Sequence, residues 1–105
     1  MTSPVGSAAY YGQMRMAADD QLVHGTADIY YRFENADLDV YLHPEGDWSD
    51  LWWEGANVEN GHFRRLGSRH GSMRGAFYGP SGEGVAGSFE RGDVTGVFGA
   101  LRQDN

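Results

Sequence analysis

At 105 residues and a formal charge of −7, the chain has room for one domain and one core. Its 40% hydrophobic content and 14 aromatic side chains (six Tyr, five Phe, three Trp) supply that core, and a charged fraction of 22% excludes a disordered chain. All eight basic residues are arginine and the pI is near 4.8, so nucleic acid and anionic membrane surfaces are excluded as expected partners.

Cysteine is absent, which removes disulfides and thiolate metal sites. No apolar run approaches the length of a membrane-spanning helix. The opening MTSPVGSAAYYG has neither a basic n-region nor an apolar h-region, so no signal peptide is expected, and residues 1–8 are expected to form a flexible N-terminal segment.

The stretch AAYYGQMRM suggests a first strand, although Gln13–Leu22 also permits a turn or two of helix. From Thr26 to Phe33, Ala27, Ile29, Tyr31 and Phe33 alternate with Asp28, Tyr30 and Arg32, which places the two sets on opposite faces of a strand. Glu34-Asn35-Ala36 turns the chain, and Leu38, Val40 and Leu42 alternate through Asp37–His43 to complete a hairpin. His43–Asp50 is a loop, followed by a strand with Leu51 and Trp53 on one face and Trp52 and Glu54 on the other. Short strands HFRRL and SMRGAFY, a loop GPSGEG, the strand VAGSFE, a turn at Arg91-Gly92-Asp93 and a last strand VTGVFGALR complete the chain. About eight strands at this spacing suit an antiparallel sandwich or barrel.

Glycine recurs in the last third of the chain among Phe, Val and Ala. Alternation puts Val94, Gly96, Phe98 and Ala100 on one face of the last strand, and sets Val85, Gly87 and Phe89 against Ala86 and Ser88 in the strand before it. Small residues beside large ones let a strongly curved sheet close without overfilling its interior. The predicted fold is therefore all-β, a single small antiparallel β-barrel spanning residues 9–103.

The segment GAFYGPSGEGVAGSFE…VTGVFGALR resembles the closing strands of the β-barrel domain of transferrin-binding protein B and related bacterial surface lipoproteins. The resemblance rests on Gly75, Phe77, Tyr78, Gly79, Pro80, Glu83, Gly87, Phe89, Gly96, Phe98, Gly99, Ala100 and Arg102, about a third of the chain. It implies an eight-stranded barrel used for binding rather than catalysis, in an extracellular or outer-membrane location and an iron-acquisition setting. Gly75, Phe77, Gly79, Gly87, Phe89, Gly96, Phe98 and Gly99 are the residues it implies in barrel closure. They shape the barrel and do not carry transferrin binding over. Two departures from the family's pattern are expected, the absence of an anchor cysteine and of a handle domain.

No catalytic pattern stands out. His24, His43, His62 and His70 lack a metal-ligand spacing and read as solvated loop and strand residues. Ser68 and His70 are not accompanied by a nucleophile elbow. GPSGEG precedes no helix and has no lysine, so it is not a phosphate loop. Arg91-Gly92-Asp93 matches an integrin-binding tripeptide but reads more simply as a hairpin turn. No metal is expected, and the chain is not expected to be an enzyme.

The aromatics carry more information. Alternation turns Tyr30, Tyr41 and Trp52 outward, places Trp48 in a loop, and sends one of Tyr10 and Tyr11 outward. Outward aromatics are typical anchors of protein interfaces, and their plainer reading is that they shield neighbouring backbone or pack under a loop. The expected function is thus a non-catalytic module that recognises a protein partner, not yet identified, through Tyr30, Tyr41, Trp48 and Trp52. One alternative is a carrier of haem or another apolar ligand at the barrel mouth, with Tyr or His on the iron. Another is a dimerisation or assembly unit.

Overall fold

The computed structural model describes residues 6–68 and 70–103, and Ser68 by its backbone alone. Eight strands follow one another: β1 (Ser7–Ala18), β2 (Gln21–Arg32), β3 (Asp37–Pro44), β4 (Leu51–Glu59), β5 (His62–Ser68), β6 (Gly71–Tyr78), β7 (Gly84–Arg91) and β8 (Val94–Arg102). Each pairs antiparallel with the next, and β1 pairs with β8 from Tyr10↔Arg102 to Ala17↔Thr95, so the sheet closes into a barrel. Of the expected flexible N-terminal segment, residues 1–5 lie outside the described residues. Ser7 and Ala8 already pair with Arg32 and Tyr31.

The turn or two of helix permitted at Gln13–Leu22 does not form. Met14, Met16 and Ala18 continue the inward alternation of β1, and β2 takes it up again at Val23. Asp19 and Asp20 make the two-residue connection, both at positive φ (50° and 63°). A pair of left-handed residues matches the twist of the flanking strands, and aspartate tolerates that conformation better than most side chains. Arg91-Gly92-Asp93 is likewise the turn between β7 and β8, with Gly92 at φ 59°.

Inward side chains fill the barrel. Tyr10, Met14, Met16, Ile29, Leu38, Val40, Leu42, Trp53, Phe63, Met73, Phe89 and Phe98 all belong to one buried cluster. The predicted faces of β7 and β8 hold, with Val85, Phe89, Phe98 and Ala100 inside. Phe33, placed by alternation on the inner face, instead sits past the end of β2 and is exposed, its ring edge-on to Tyr31 at 5.0 Å.

The recurring glycines answer to phenylalanines across the sheet. Phe63 lies opposite Gly75, Phe98 opposite Gly87, and Phe89 opposite Gly96. A Cβ at Gly75 or Gly87 would stand 2.5 Å from the facing ring, and one at Gly96 would overlap the ring of Phe89. The tip of each ring therefore lies against a glycine of the neighbouring strand, which lets three phenylalanines share a narrow interior. Phe77 packs among Tyr10, Tyr31 and Phe63. Gly79 is needed for its backbone, at φ 92°. Gly99 differs: it faces outward with room for a side chain, and its carbonyl is the group that a Cβ on Gly12 would strike.

One seam is unlike the rest. Among the described residues β4 and β5 pair at Asn57↔Arg64, Val58↔Phe63 and Glu59↔His62 and no further. Beyond that point each strand bulges, β4 at Glu54–Gly55 opposite Asp39 and β5 at Leu66–Gly67 opposite Ser72. Gly55 and Gly67 both adopt φ 70°, the left-handed conformation such a bulge needs. Side chains occupy the parted seam instead: Arg65 Nε donates to Glu54 O at 3.2 Å and Trp53 Nε1 donates to Gly71 O at 3.1 Å.

Candidate binding surface on the barrel wall

The register lines up one outward row around half the barrel: Leu101 opposite Tyr11, Tyr11 opposite Asp28, Asp28 opposite Tyr41, and Tyr41 opposite Trp52. Tyr30 stands beside this row, its ring edge-on to Tyr41 with centroids 5.9 Å apart. Tyr11, Tyr30 and Trp52 are 49%, 44% and 38% exposed, whereas Tyr10 is buried and donates its hydroxyl to Gly82 O at 2.7 Å. Three of the four expected partner-binding aromatics therefore meet on one wall. Trp48 does not join them. It packs against the core at the end of the barrel, beside a hollow that it shares with Met16, Leu51, Arg91 and Val94.

Polar contacts hold the aromatics in place. The Tyr41 hydroxyl donates to Glu54 Oε2 at 2.7 Å, and this carboxylate, with partial burial, pushes the phenol up to about 12. Arg32 forks onto two aspartates: Nε meets Asp37 at 2.8 Å, while Nη1 and Nη2 meet the two oxygens of Asp39 at 2.9 and 2.8 Å. Asp39 also accepts the Gly55 amide at 2.9 Å, so the same carboxylate anchors the β4 bulge. The guanidinium holds the Asp39 carboxyl below its ordinary value, against the opposing effect of burial. A bidentate pair of this kind is geometrically specific, and it fixes where Glu54 and Trp52 leave the sheet.

Of the four histidines expected to be solvated, His70 is buried, and His43 stays partly exposed while pairing with two carboxylates. His43 bridges Asp28 and Asp50, each ring nitrogen 3.0 Å from a carboxylate oxygen, and so ties the loop before β4 to the wall. His70 is buried, its ring 4.2 Å from that of Trp52 and 6.2 Å from that of Trp53. It fills the gap where β4 and β5 part, and it backs one side of Trp52. The Ser68 side chain lies outside the described residues. No group of three or more His, Asp or Glu among the described residues is arranged to hold a metal.

Past the β4–β5 seam, Arg64 on β5 lies directly opposite Arg74 on β6. Sequence reasoning passed over this pair because neither arginine belongs to a motif. Counting outward from the β5–β6 turn would set Arg65 against Arg74, and the extra residue in the Leu66–Gly67 bulge shifts the register by one and brings Arg64 there instead.

The family model that describes the C-lobe and N-lobe β-barrels of Tf-binding protein B matches residues 4–102. This chain belongs to that family. Among solved structures, isotype 1 transferrin-binding protein B of serogroup B Neisseria meningitidis is 19% identical with a TM-score of 0.74, covering 97% of this chain and 26% of that one. A surface lipoprotein is 14% identical with a TM-score of 0.70, over 92% of this chain and 61% of that one. The N-lobe domain of lactoferrin-binding protein B of Moraxella bovis is 14% identical with a TM-score of 0.66, over 97% and 61%. These likenesses show a shared fold, and the chain spans between about a quarter and under two thirds of the length of the structures it matches. No curated protein matches it. In this member of the Tf-binding protein B barrel family, the Gly–Phe pairs of β5 to β8 belong to the barrel's construction, while the aromatic wall of β2 to β4 lies on its outer surface.

Proposed function

We propose that this barrel is a non-catalytic binding module that recognises a protein partner through the wall formed by β2, β3 and β4, at the bacterial surface or outside the cell. The observation that carries the reading is the cluster of Tyr30, Tyr41 and Trp52, three outward aromatics on adjacent strands held by Glu54, Asp39 and His70. Pre-positioned Tyr and Trp side chains offer large contact area at low entropic cost, and such residues dominate measured interfaces. The names of the matched relatives support a protein as partner, since they are proteins named for binding transferrin and lactoferrin. The haem-carrier alternative gains little support from a barrel whose interior is occupied by Trp, Met and Phe side chains.

Immobilised barrel tests the reading by capturing partners from culture fluid and surface extracts. A partner held by the parent protein and by Leu22→Ala, but weakened by Tyr30→Ala and Trp52→Ala, supports it. The expected loss is about 2 kcal/mol for each anchor. Circular dichroism of each variant checks that the fold survives. Capture that is indifferent to both aromatic substitutions moves the interface elsewhere.

A further inference from the structure

We propose that the outer face of β5, β6 and β7 is an oxyanion-binding site, with Arg64 and Arg74 as a paired clamp and Asn57 and Ser88 as flanking donors. These four residues form one unbroken lateral row, Asn57 opposite Arg64, Arg64 opposite Arg74, and Arg74 opposite Ser88. Like charges directly opposite one another across a strand pair are destabilising. In a chain of net charge −7 there is no shortage of carboxylates to neutralise them. Yet among the described residues the ion pairs are those of Arg32 and His43, and none involves Arg64 or Arg74.

The shape of the surface agrees. Two shallow grooves, of about 690 and 430 Å³, adjoin here, and Arg64, Arg74 and Ser88 line both. Beside the arginines the floor is made of small residues, Gly75, Ala76, Ala86 and Gly87, because the neighbouring row runs His62, Ala76, Ala86, Gly99. Two uncompensated guanidinium groups at the lip of a small-residue floor form a fork that fits a phosphate, sulfate or carboxylate, and the floor leaves room for the body of the ligand. Glu59 and Glu90 rim the two grooves and set a charge boundary that favours a compact anionic head over an extended polyanion. The site shares only β4 with the aromatic wall, Asn57 lying five residues along that strand from Trp52, and stands independently of the partner proposed for that wall.

Calorimetric titration with inorganic phosphate and with citrate, at ionic strength held constant with sodium chloride, tests the site. Saturable binding to the parent protein is expected, weakened about tenfold or more by Arg64→Gln and by Arg74→Gln and unchanged by Arg15→Gln. The stronger of the two probes assigns the head group as phosphate-like or carboxylate. Without ligand, Arg74→Gln is expected to leave the melting temperature unchanged or raise it, since it removes a repulsion. Should a variant fail to fold, amide chemical-shift mapping on the parent protein decides the matter: shifts confined to β5, β6 and β7 support the site. Absence of a response beyond that of chloride, binding undiminished in both variants, or shifts centred elsewhere would overturn it.

Discussion

Tyr41 shows how one side chain reports on its wall. Its hydroxyl is given to Glu54, so ionising it sacrifices that hydrogen bond and places two negative charges together. Its folded pKa of about 12 lies above the ordinary value of 10.0, so the proton is held more tightly in the folded state. The associated stability is fully present below pH 10 and is lost as pH rises through about 12. In an absorbance titration of the six tyrosines, Tyr41→Phe is therefore expected to remove a late step. Tyr10, raised by its burial, contributes a separate late step that the substitution leaves in place. Loss of an early step instead would show that the Tyr41–Glu54 contact does not persist in solution.

At the scale of strands, alternation made much of the barrel legible. The faces of β3, β7 and β8 follow directly from period two, and so does the outward direction of Tyr30, Tyr41 and Trp52. What alternation could not reveal is where it breaks. Trp53 and Ala56 both point inward although only two residues lie between them, because Gly55 inserts a bulge whose partner, Asp39, is held from another strand. His70 was misjudged for a related reason, since a residue in a turn is buried by what packs over it, not by its own period. The Gly–Phe pairing was half visible: the sequence shows small beside large, while register alone shows which phenylalanine covers which glycine.

Two expected outcomes belong to this scale. Phe98 lies over Gly87 inside a filled interior, so Phe98→Ala is expected to cost about 3–5 kcal/mol in denaturant unfolding. A nearly neutral result would mean that the interior is not close-packed there. The β4–β5 seam, with its three-pair ladder, is expected to open first. Amide exchange should accordingly be faster for β4 residues 52–55 than for the fully paired residues 11–16 of β1. Equal protection in the two segments would show that the side chains in the seam seal it as firmly as a ladder does.

For the molecule as a whole, a barrel closed by its first and last strands leaves no terminal edge strand among the described residues, and the β4–β5 seam is where its ladder is interrupted. Arginines on one wall and aromatics on another give it two unlike faces, set apart by the curvature that the glycines permit. Closure also brings the start of β1 beside the end of β8, since the Gln103 backbone amide donates to Ala9 O at 2.8 Å. A circular permutant that joins those ends by a short linker and opens the chain between Asp19 and Asp20 is expected to keep the barrel, as shown by an unchanged far-ultraviolet spectrum and cooperative melting. Failure to fold would mean that the β1–β2 hairpin must be continuous. With entry and exit side by side, the domain is mechanically a pendant: tension along a longer polypeptide would pull first on the ends of β1 and β8 where they meet each other and β2, and the opposite rim would swing clear of whatever the chain is fastened to.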